Sequence, residues 1–387
     1  MLATAVPLFA VALGLAPVWV GVLVALPNVL PVALAMRAGR WIDRGGAGNW
    51  LAFGAAGMVS APLLLALVPS VPALAAAQLM VGVFQLFKAL ASQTYVADLG
   101  GGRALERNYA TYATLLSAGR LVGPLLAGIA IDGVGFGGAF AGAAGVLLAT
   151  AAMTWAIRGG VADVGRDAVR PAEERAPPVP FDAGVAALPP RYGPRDALAN
   201  VGVQLAVLSS AGVFVAISVR QAFLPIALQG LGYPATTIGA LISLGALAAV
   251  AVRPLMPVVS RRLGGPARTL VVAMAAVAVA VGLLGVVSSV VAFGLLGVLA
   301  GFGTGVGNPL SIVTVASHVE PRHRGAALGL RLSLNRAAQL AMPVLIGAVI
   351  GVAGFGVGFG AAGLLLGGLA WAAARRVPAF ERETPPT

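Results

Sequence analysis

Five basic side chains stand within stretches of sequence that are otherwise apolar: Lys88, Arg120, Arg220, Arg331 and Arg336. If these stretches cross a membrane, each charge is costly unless it faces water, a partner or a ligand. The planar guanidinium of arginine offers paired N–H donors that match carboxylate and phosphate oxygens. The chemistry that these residues could do is therefore anion binding. No nucleophile, acid and base converge in the same stretches, so an enzyme is not expected.

Further polar side chains recur at helical spacing beside the basic ones. Tyr109 and Arg120 are eleven residues apart, which is about three helical turns, and Tyr112 falls on the same side. Two further sets share a helix face in the same way: Arg331, Asn335 and Gln339, and Gln78, Gln85, Lys88 and Ser92. We expect these sets to line a cavity for a small-molecule substrate, with helix packing as the alternative. Lys88 and Arg331 lie closer to the ends of their stretches, where a long side chain can also reach the membrane surface.

All 13 Asp and Glu residues lie outside the middle of the apolar stretches. A carrier driven by protons usually needs an embedded carboxylate whose pKa shifts on burial. The sequence therefore argues against ordinary proton antiport and leaves the coupling ion open. His318 and His323 lack the acidic or second-histidine spacing of a metal site, so we expect neither a metal nor a cofactor.

The composition requires a lipid environment. The chain has 387 residues, of which 59% are hydrophobic and 10% are charged, whereas soluble domains carry about 25% charged residues. Apolar runs of about 20 residues span a bilayer core, and lipid forces the backbone of each run to pair within a helix. The alternating pattern of a membrane barrel is absent. Without cysteine, the chain forms no disulfide and no thiolate site.

Twelve apolar spans divide into two sets of six. The first set is 2–13, 17–37, 50–69, 73–96, 108–131 and 136–157, and the second is 200–229, 236–256, 268–289, 291–317, 325–350 and 354–374. Between them, residues 158–198 hold seven prolines and many charges, which is typical of a solvated linker. We therefore expect an N-terminal six-helix bundle at 1–157, a linker at 158–198, a C-terminal six-helix bundle at 199–376 and a tail at 377–387.

The first span looks truncated. Residues 2–13 cover only about 18 Å as a helix, against a bilayer core of about 30 Å. We expect that the native product starts upstream of Met1 or that this helix enters the membrane only part-way.

The remaining basic residues fix the orientation. Twenty of the 25 basic residues lie outside the middle of the apolar spans. All 20 fall in or beside alternate loops, the linker and the tail. By the positive-inside rule, this side faces the cytoplasm, with the linker and the C-terminus. The net charge of +12 is then a consequence of topology, and nucleic acid is not an expected partner.

The two halves repeat at an offset of 218 to 219 residues. Pro7, Gly14, Gly21 and Gly46 correspond to Pro225, Gly232, Gly239 and Gly264, and Pro124 and Gly128 correspond to Pro343 and Gly347. Each half has an even number of spans, so both halves enter from the same side. Parallel repeats of this kind are typical of transporters with the substrate path between the halves.

Three stretches of the sequence carry a resemblance to the major facilitator superfamily. The GRWIDRGG stretch at 39–46 resembles the family's G-x-x-x-D-R-x-G pattern between its second and third helices, and it matches at Gly39, Asp43, Arg44 and Gly46. The fifth span resembles the G-x-x-x-G-P-x-x-G-G pattern of the family's exporters, and it matches at Gly119, Gly123, Pro124 and Gly128, with Ala127 departing. PRHRGAALG at 321–329 resembles the family's entry to the eleventh helix.

The resemblance implies a gate and an export function. Asp43 is expected to face the positive end of the eleventh helix, and Arg44 to pair with Glu106 or Glu320. The full set expected to hold and release the two halves is Gly39, Asp43, Arg44, Gly46, Arg262 and Arg324. The family's exporters resemble one another in an arginine four residues before a glycine of the fourth helix, but Gln78 stands at that position here, before Gly82.

The sequence thus predicts an all-helical membrane protein of twelve transmembrane helices in two pseudo-symmetric bundles. We expect a monomeric secondary transporter in the cytoplasmic membrane that exports an anionic or amphipathic small molecule by alternating access. Its partners are the substrate and the lipid bilayer. Two alternatives stay open: an importer of an organic anion, and a transport-silent assembly factor with the same fold.

Overall fold

The computed structural model describes residues 1–98, 103–167, 194–320 and 323–383, and these residues are almost entirely helical. The helices of the first half are α1 (Leu2–Ala12), α2 (17–45), α3 (Ala47–Leu67), α4 (Val71–Asp98), α5 (103–134) and α6 (136–167). Those of the second half are α7 (Val201–Gly230), α8 (235–262), α9 (Pro266–Leu283), α10 (Val290–His318), α11 (324–353) and α12 (355–374). The predicted fold class is confirmed.

Two helices contain a short 3-10 turn at a proline. In α2, Leu26–Asn28 separates Pro17–Ala25 from Val29–Gly45, and in α8, Arg253–Leu255 separates Ala235–Ala251 from Met256–Arg262. Proline removes a backbone donor and clashes with the preceding turn, which explains both breaks. Two short helices, Pro194–Ala199 and Val377–Glu383, flank the second bundle.

Eight described helical segments are long and apolar enough to cross a membrane, and two shorter apolar helices lie at the N-terminus. Two of the eight, Thr111–Ala156 and Ala327–Arg382, each hold two helices that meet at a non-helical glycine. Large apolar side chains on the outer surface are highly exposed, among them Leu364 at 80% and Met153 at 68%. Such a surface requires lipid, so the chain is a multi-pass membrane protein.

Two boundaries differ from the sequence prediction. The GRWIDRGG stretch is not a loop, because α2 continues through Gly45 and ends at Gly46, where φ is 80°. The helix α6 continues to Asp167, ten residues into the predicted linker. The first linker proline is Pro171, so nothing before it removes a helical backbone donor. Residues 168–193 of the predicted linker lie outside the described residues.

The turns repeat between the halves as the sequence predicted. Gly14 and Gly232 both have positive φ, at 80° and 83°, and both end the first helix of their half. The other positive-φ pairs at the repeat offset are Gly46 with Gly264 and Gly135 with Gly354. In each half the third helix packs on the fourth and on the stretch formed by the last two helices. The bundles are therefore two copies of one architecture.

The two ends of the molecule are named here by their loops. The short-loop face carries the turns at 13–16, 68–70, 135, 231–234, 284–289 and 354, and the basic face carries the opposite turns, the linker and the tail. The largest buried apolar cluster joins both bundles: it includes Phe9 and Phe140 from the first and Phe223 and Phe359 from the second. The four smaller clusters each belong to a single bundle.

Candidate functional site

Two helix pairs make the most extensive contacts between the bundles, α5 with α8 and α2 with α11, and each pair is called a seam below. On the first pair, a methyl group added at Gly128 would overlap the carbonyl oxygen of Ala235, and one at Gly239 would overlap that of Pro124. The second pair repeats both contacts at the repeat offset, with Gly347 against Pro17 and Gly21 against Pro343. Only glycine lets two helix backbones approach this closely.

The seams are closed toward the short-loop face and part toward the basic face. The Pro17–Ala25 part of α2 packs along α11, whereas its Val29–Gly45 part packs mainly on α4. Likewise, Ala235–Ala251 of α8 packs along α5, whereas Met256–Arg262 packs on α9. Among the described residues, the cleft between the bundles is therefore open toward the basic face.

Arg120 and Arg253 lie together on the α5–α8 seam. Ser117 and Arg120 share the face of α5 that carries Pro124 and Gly128, because these positions are three, four and four residues apart. From α8, Arg253 donates a hydrogen bond through Nη1 to Ser117 Oγ at 3.0 Å. Arg120 and Arg253 are near enough for their like charges to interact. Both arginine side chains are exposed.

Sequence reasoning missed Arg253. It counted this residue among the basic loop residues because Arg253 stands near the predicted end of its span. The usable signal was Pro254, which predicts a helix break and so allows a side chain to turn toward the seam. The structure shows such a break, the Arg253–Leu255 turn.

Arg336 occupies the matching place on the α2–α11 seam. Its Nη1 donates to Asn28 Oδ1 at 3.2 Å, across the boundary between the bundles. Asn28 ends the 3-10 turn of α2. Residue 336 is the repeat partner of Ser117, which places both at a similar depth on their seams. On each seam, an arginine of the second bundle donates a hydrogen bond to a neutral side chain of the first.

Arg331 and Asn335 lie inside the second bundle. Arg331 is 2% exposed, and its Nη2 donates to Asn308 Oδ1 and to Ser311 Oγ, both at 2.7 Å, on α10. Asn335 is 1% exposed, and neither amide atom has a hydrogen-bond partner among the described residues. Gln339 donates to the Asn335 carbonyl at 3.3 Å. The structure thus places this stripe between helices of one bundle.

The other predicted substrate residues are dispersed. Arg220 is half-buried on α7, with Nη2 beside Gly245 of α8, and its Nε has no partner in the described part of the chain. Lys88 is partly buried where α4 crosses α3 at Gly54. Gln85 is exposed on α4 and Tyr112 is partly exposed on α5. The Tyr109 side chain lies outside the described residues.

Gln78 has a structural role. Its Nε2 donates to the Leu23 carbonyl at 2.8 Å, and the side chain is 7% exposed. This bond fixes α4 against α2 within the first bundle.

The predicted gate residues are exposed at the basic face. Arg44, Arg262 and Arg324 are all exposed, and Arg324 donates to the Val319 carbonyl at 3.1 Å. Glu320, a predicted partner of Arg44, lies 3.7 Å from His323. The side chains of Asp43 and Glu106 are outside the described residues. With the cleft open, the predicted contacts between the halves have no described counterpart.

An aromatic stack holds the end of α2 that carries the motif. Trp41, Trp50 and Phe87 lie parallel, with Trp50 and Phe87 ring centroids 4.8 Å apart. Trp50 Nε1 donates to the Trp41 carbonyl at 2.7 Å. A side chain at Gly45 would strike the Trp50 ring, and Gly39 faces open space.

The predicted packing motif of α5 is used only in part. Pro124 and Gly128 make the seam described above, whereas a methyl group at Gly119 would meet nothing and one at Gly123 would meet only the Met1 nitrogen. In this structure, Pro124 and Gly128 of the motif therefore contact α8, and Gly119 and Gly123 do not.

Asp132 is a second residue that sequence reasoning missed. At the end of α5 it accepts hydrogen bonds from the backbone N–H groups of Ala235 and Thr236, at 3.0 and 2.7 Å. These are the first N–H groups of α8, so the carboxylate caps a helix of the other bundle. The repeat partner of Asp132 is Gly351, and the repeat partner of Ala235 is Pro17, which has no N–H. Among the described residues, this carboxylate cap, called the Asp132 latch below, is recorded on the α5–α8 seam alone.

The comparisons with known proteins agree with this architecture. The model of the family described as Major Facilitator Superfamily matches residues 1–284 and 206–387, which together cover the chain. No curated protein sequence matches it. Three similar solved structures are as follows. The human organic anion transporter MFSD10 (TETRAN) has 21% identity and a TM-score of 0.62 over 96% of this chain and 89% of that one. The nucleoside transporter NupG has 14% identity and a TM-score of 0.75 over 97% and 94%. A bacterial homologue of the human lysosomal transporter Spinster has 14% identity and a TM-score of 0.67 over 98% and 92%.

At these identities the solved structures show a shared fold and not a shared substrate. The family match, the repeated bundles and the glycine seams between them lead to one conclusion: this chain belongs to the Major Facilitator Superfamily.

Proposed function

We propose that this protein is a secondary active transporter that moves a small anionic molecule across the cytoplasmic membrane by alternating access. The observation that carries the proposal is the pair of matched seams, closed at one face and parted at the other. Two like bundles that meet at glycine crossings can rock about them, which exposes one face and then the other. The proposed units are the bundles at 1–157 and 199–376, with the linker and tail on the basic face.

The anionic substrate is inferred from the charges on the seams. Arg120 and Arg253 lie on the α5–α8 seam, and the ion pairs that the structure records among its described residues, Arg268–Glu381 and His323–Glu320, are elsewhere at the basic face. Positive groups without a carboxylate partner favour a negative ligand. MFSD10 is named as an organic anion transporter, but its distant identity does not carry this inference.

The direction of transport is the finer part of the proposal. The positive-inside rule places the basic face in the cytoplasm, so the open cleft of this structure would load from inside. Together with the exporter-like pattern at Gly119, Gly123, Pro124 and Gly128, this favours export of an anionic or amphipathic compound. Import of an organic anion is the alternative, because an alternating carrier visits this open state in both directions.

Flux into proteoliposomes tests the proposal. The purified protein is reconstituted into lipid vesicles, and anionic or neutral compounds are placed inside or outside them, with and without a pH gradient. The rates of efflux and uptake are compared with those of protein-free vesicles. We expect protein-dependent flux of anions and none of neutral compounds. Flux of neutral compounds alone would reject the anionic substrate, and the absence of any flux would favour a transport-silent assembly factor.

A further inference from the structure

We propose that Arg120 and Arg253, with Ser117 as their support, form a binding site for a substrate with two negative charges, such as a dicarboxylate or a phosphate monoester. This inference rests on the proposed transport function and narrows its substrate class. Of the five basic residues that the sequence predicted for substrate binding, this site uses Arg120 and leaves out Arg336. Arg336 is held on the other seam by Asn28.

Hydrogen bonding fixes one edge of Arg253. Ser117 Oγ donates its own proton to the Ala113 carbonyl at 2.8 Å and accepts from Arg253 Nη1 at 3.0 Å. The single proton of the serine hydroxyl is therefore used within the protein, and none is left for a ligand. It acts as a positioning residue that aims the remaining N–H groups of Arg253 along the seam.

Donors for a ligand remain on both arginines. Arg253 keeps Nε and Nη2, and no described residue accepts a hydrogen bond from Arg120. Each free edge of a guanidinium matches the two oxygens of one carboxylate or phosphate group. Ser117 and Arg120 are one helical turn apart, about 4.5 Å of rise. The two free edges therefore lie within reach of a single small molecule.

Electrostatics decides the charge of that molecule. Arg120 and Arg253 repel each other, and no ion pair to either is recorded in the described part of the chain. While the cleft is open, water screens this repulsion. When the basic halves of α5 and α8 close over the pair, water leaves and both charges need a partner. A dianion neutralises both, whereas a monoanion leaves one positive charge buried.

Access supports the same site. The seam is parted on the basic side of the Pro124–Gly239 crossing, and both arginines lie on that side. Arg253 stands on the 3-10 turn of α8, beyond the segment that packs along α5. A ligand that enters from the basic face therefore reaches the arginines before the closed crossing.

The test compares matched ligands on purified full-length protein at neutral pH. The dianion probes are malonate, succinate, phthalate and phenyl phosphate. The half-amides and diamides of the dicarboxylates serve as monoanionic and neutral counterparts. Binding is measured from the rise in unfolding temperature with ligand concentration. We expect at least one dianion to bind, its half-amide to bind about tenfold or more weakly, and its diamide not to bind.

Variants assign the binding to this seam. Arg120→Gln and Arg253→Gln are each expected to weaken dianion binding by about a hundredfold, and Arg253→Lys to recover only part because it keeps the charge without the planar fork. Arg261→Gln is the matched control: it removes an exposed arginine two turns further along α8. Unfolding temperatures without ligand show that each variant folds, and Arg253→Lys replaces Arg253→Gln if the latter does not.

Three results would overturn the site: no dianion binds the wild type, a half-amide binds as tightly as its dianion, or Arg253→Gln leaves dianion affinity unchanged. Flux separates this failure from failure of the transporter. If a monoanion is transported equally by wild type and Arg253→Gln, the proposed transporter stands and the dianion site is wrong. If no anion moves at all, the transport function itself fails.

Discussion

At the scale of single residues, the spacing of charges predicted a basic interior but not its geometry. Periodicity placed Arg120 on a polar face, and it is on the seam. The same reasoning grouped Arg331 with Asn335 and Gln339, yet Arg331 turns toward α10 inside its bundle. Helical spacing shows which side chains share a face. It does not show whether that face meets a helix of the same bundle or of the other.

Asp132 escaped prediction for a related reason. In sequence it is a loop acid, and only the fold brings the first N–H groups of α8 to its carboxylate. The sequence holds no signal for which helix end in the other half will approach.

Replacing Asp132 by Asn should weaken closure of the short-loop face. The neutral amide keeps one acceptor oxygen but loses the charge that interacts with the α8 N-terminus, worth about 0.5–2 kcal/mol. That corresponds to a shift of about twofold to thirtyfold in the ratio of the two open states. Distances across the short-loop face, measured between paired spin labels, report the shift.

The other seam provides a control for this latch. Gly351→Asp places a carboxylate at the repeat position of Asp132, where a methyl group meets no atom, close to the N-terminus of α2. Combined with Asp132→Asn, it should restore part of the closed population. If Asp132→Asn leaves the distances as they are in wild type, the carboxylate is only a surface cap.

At the scale of helices, the glycine and proline repeats were the most informative part of the sequence. Gly21 with Gly239 and Gly128 with Gly347 were visible as repeat partners. The two members of each pair lie on different seams and make the same kind of contact there. What the sequence did not show was the 3-10 turn of α8, because Pro254 marks a break but not its direction. That turn decides the position of Arg253.

The glycine crossing itself should be essential for transport. Gly128→Leu places a side chain against the Ala235 carbonyl, so α5 and α8 cannot close toward the short-loop face. We expect the loss of anion flux with the protein still folded in detergent. Gly119→Ala is the matched control, because it lies on the same helix and meets no atom in this state. Normal flux in Gly128→Leu would remove the crossing from the mechanism.

At the scale of the whole molecule, hydropathy and the internal repeat were enough to predict twelve helices in two bundles. The hydropathy pattern follows from the requirement that lipid-embedded backbone pairs within each helix, and the repeat indicates that both halves share one arrangement of helices. The conformational state was beyond sequence, since in the proposed mechanism the same residues satisfy both open arrangements. The closed short-loop face and the open basic face are visible only in the folded molecule.

The orientation in the membrane follows from the distribution of arginines and is open to a direct test. The chain has no cysteine, so single cysteines at Ser70, on the short-loop face, and at Ala186, in the linker, can be labelled cleanly. In intact cells an impermeant thiol reagent should label the cysteine at residue 70, and that at 186 only after the cells are opened. Labelling of both from outside would contradict the proposed topology.

The central claim is that the two bundles alternate between a state open at the basic face and a state open at the short-loop face. Paired spin labels measure it directly, with one pair across the basic face at Asn49 and Arg261 and another across the short-loop face at Val71 and Val286. All four side chains are exposed. When a transported anion is added in lipid nanodiscs, the first distance should shorten in the same fraction of molecules in which the second lengthens. If neither distance changes at ligand concentrations that saturate binding, the molecule does not alternate and the proposed transport mechanism is wrong.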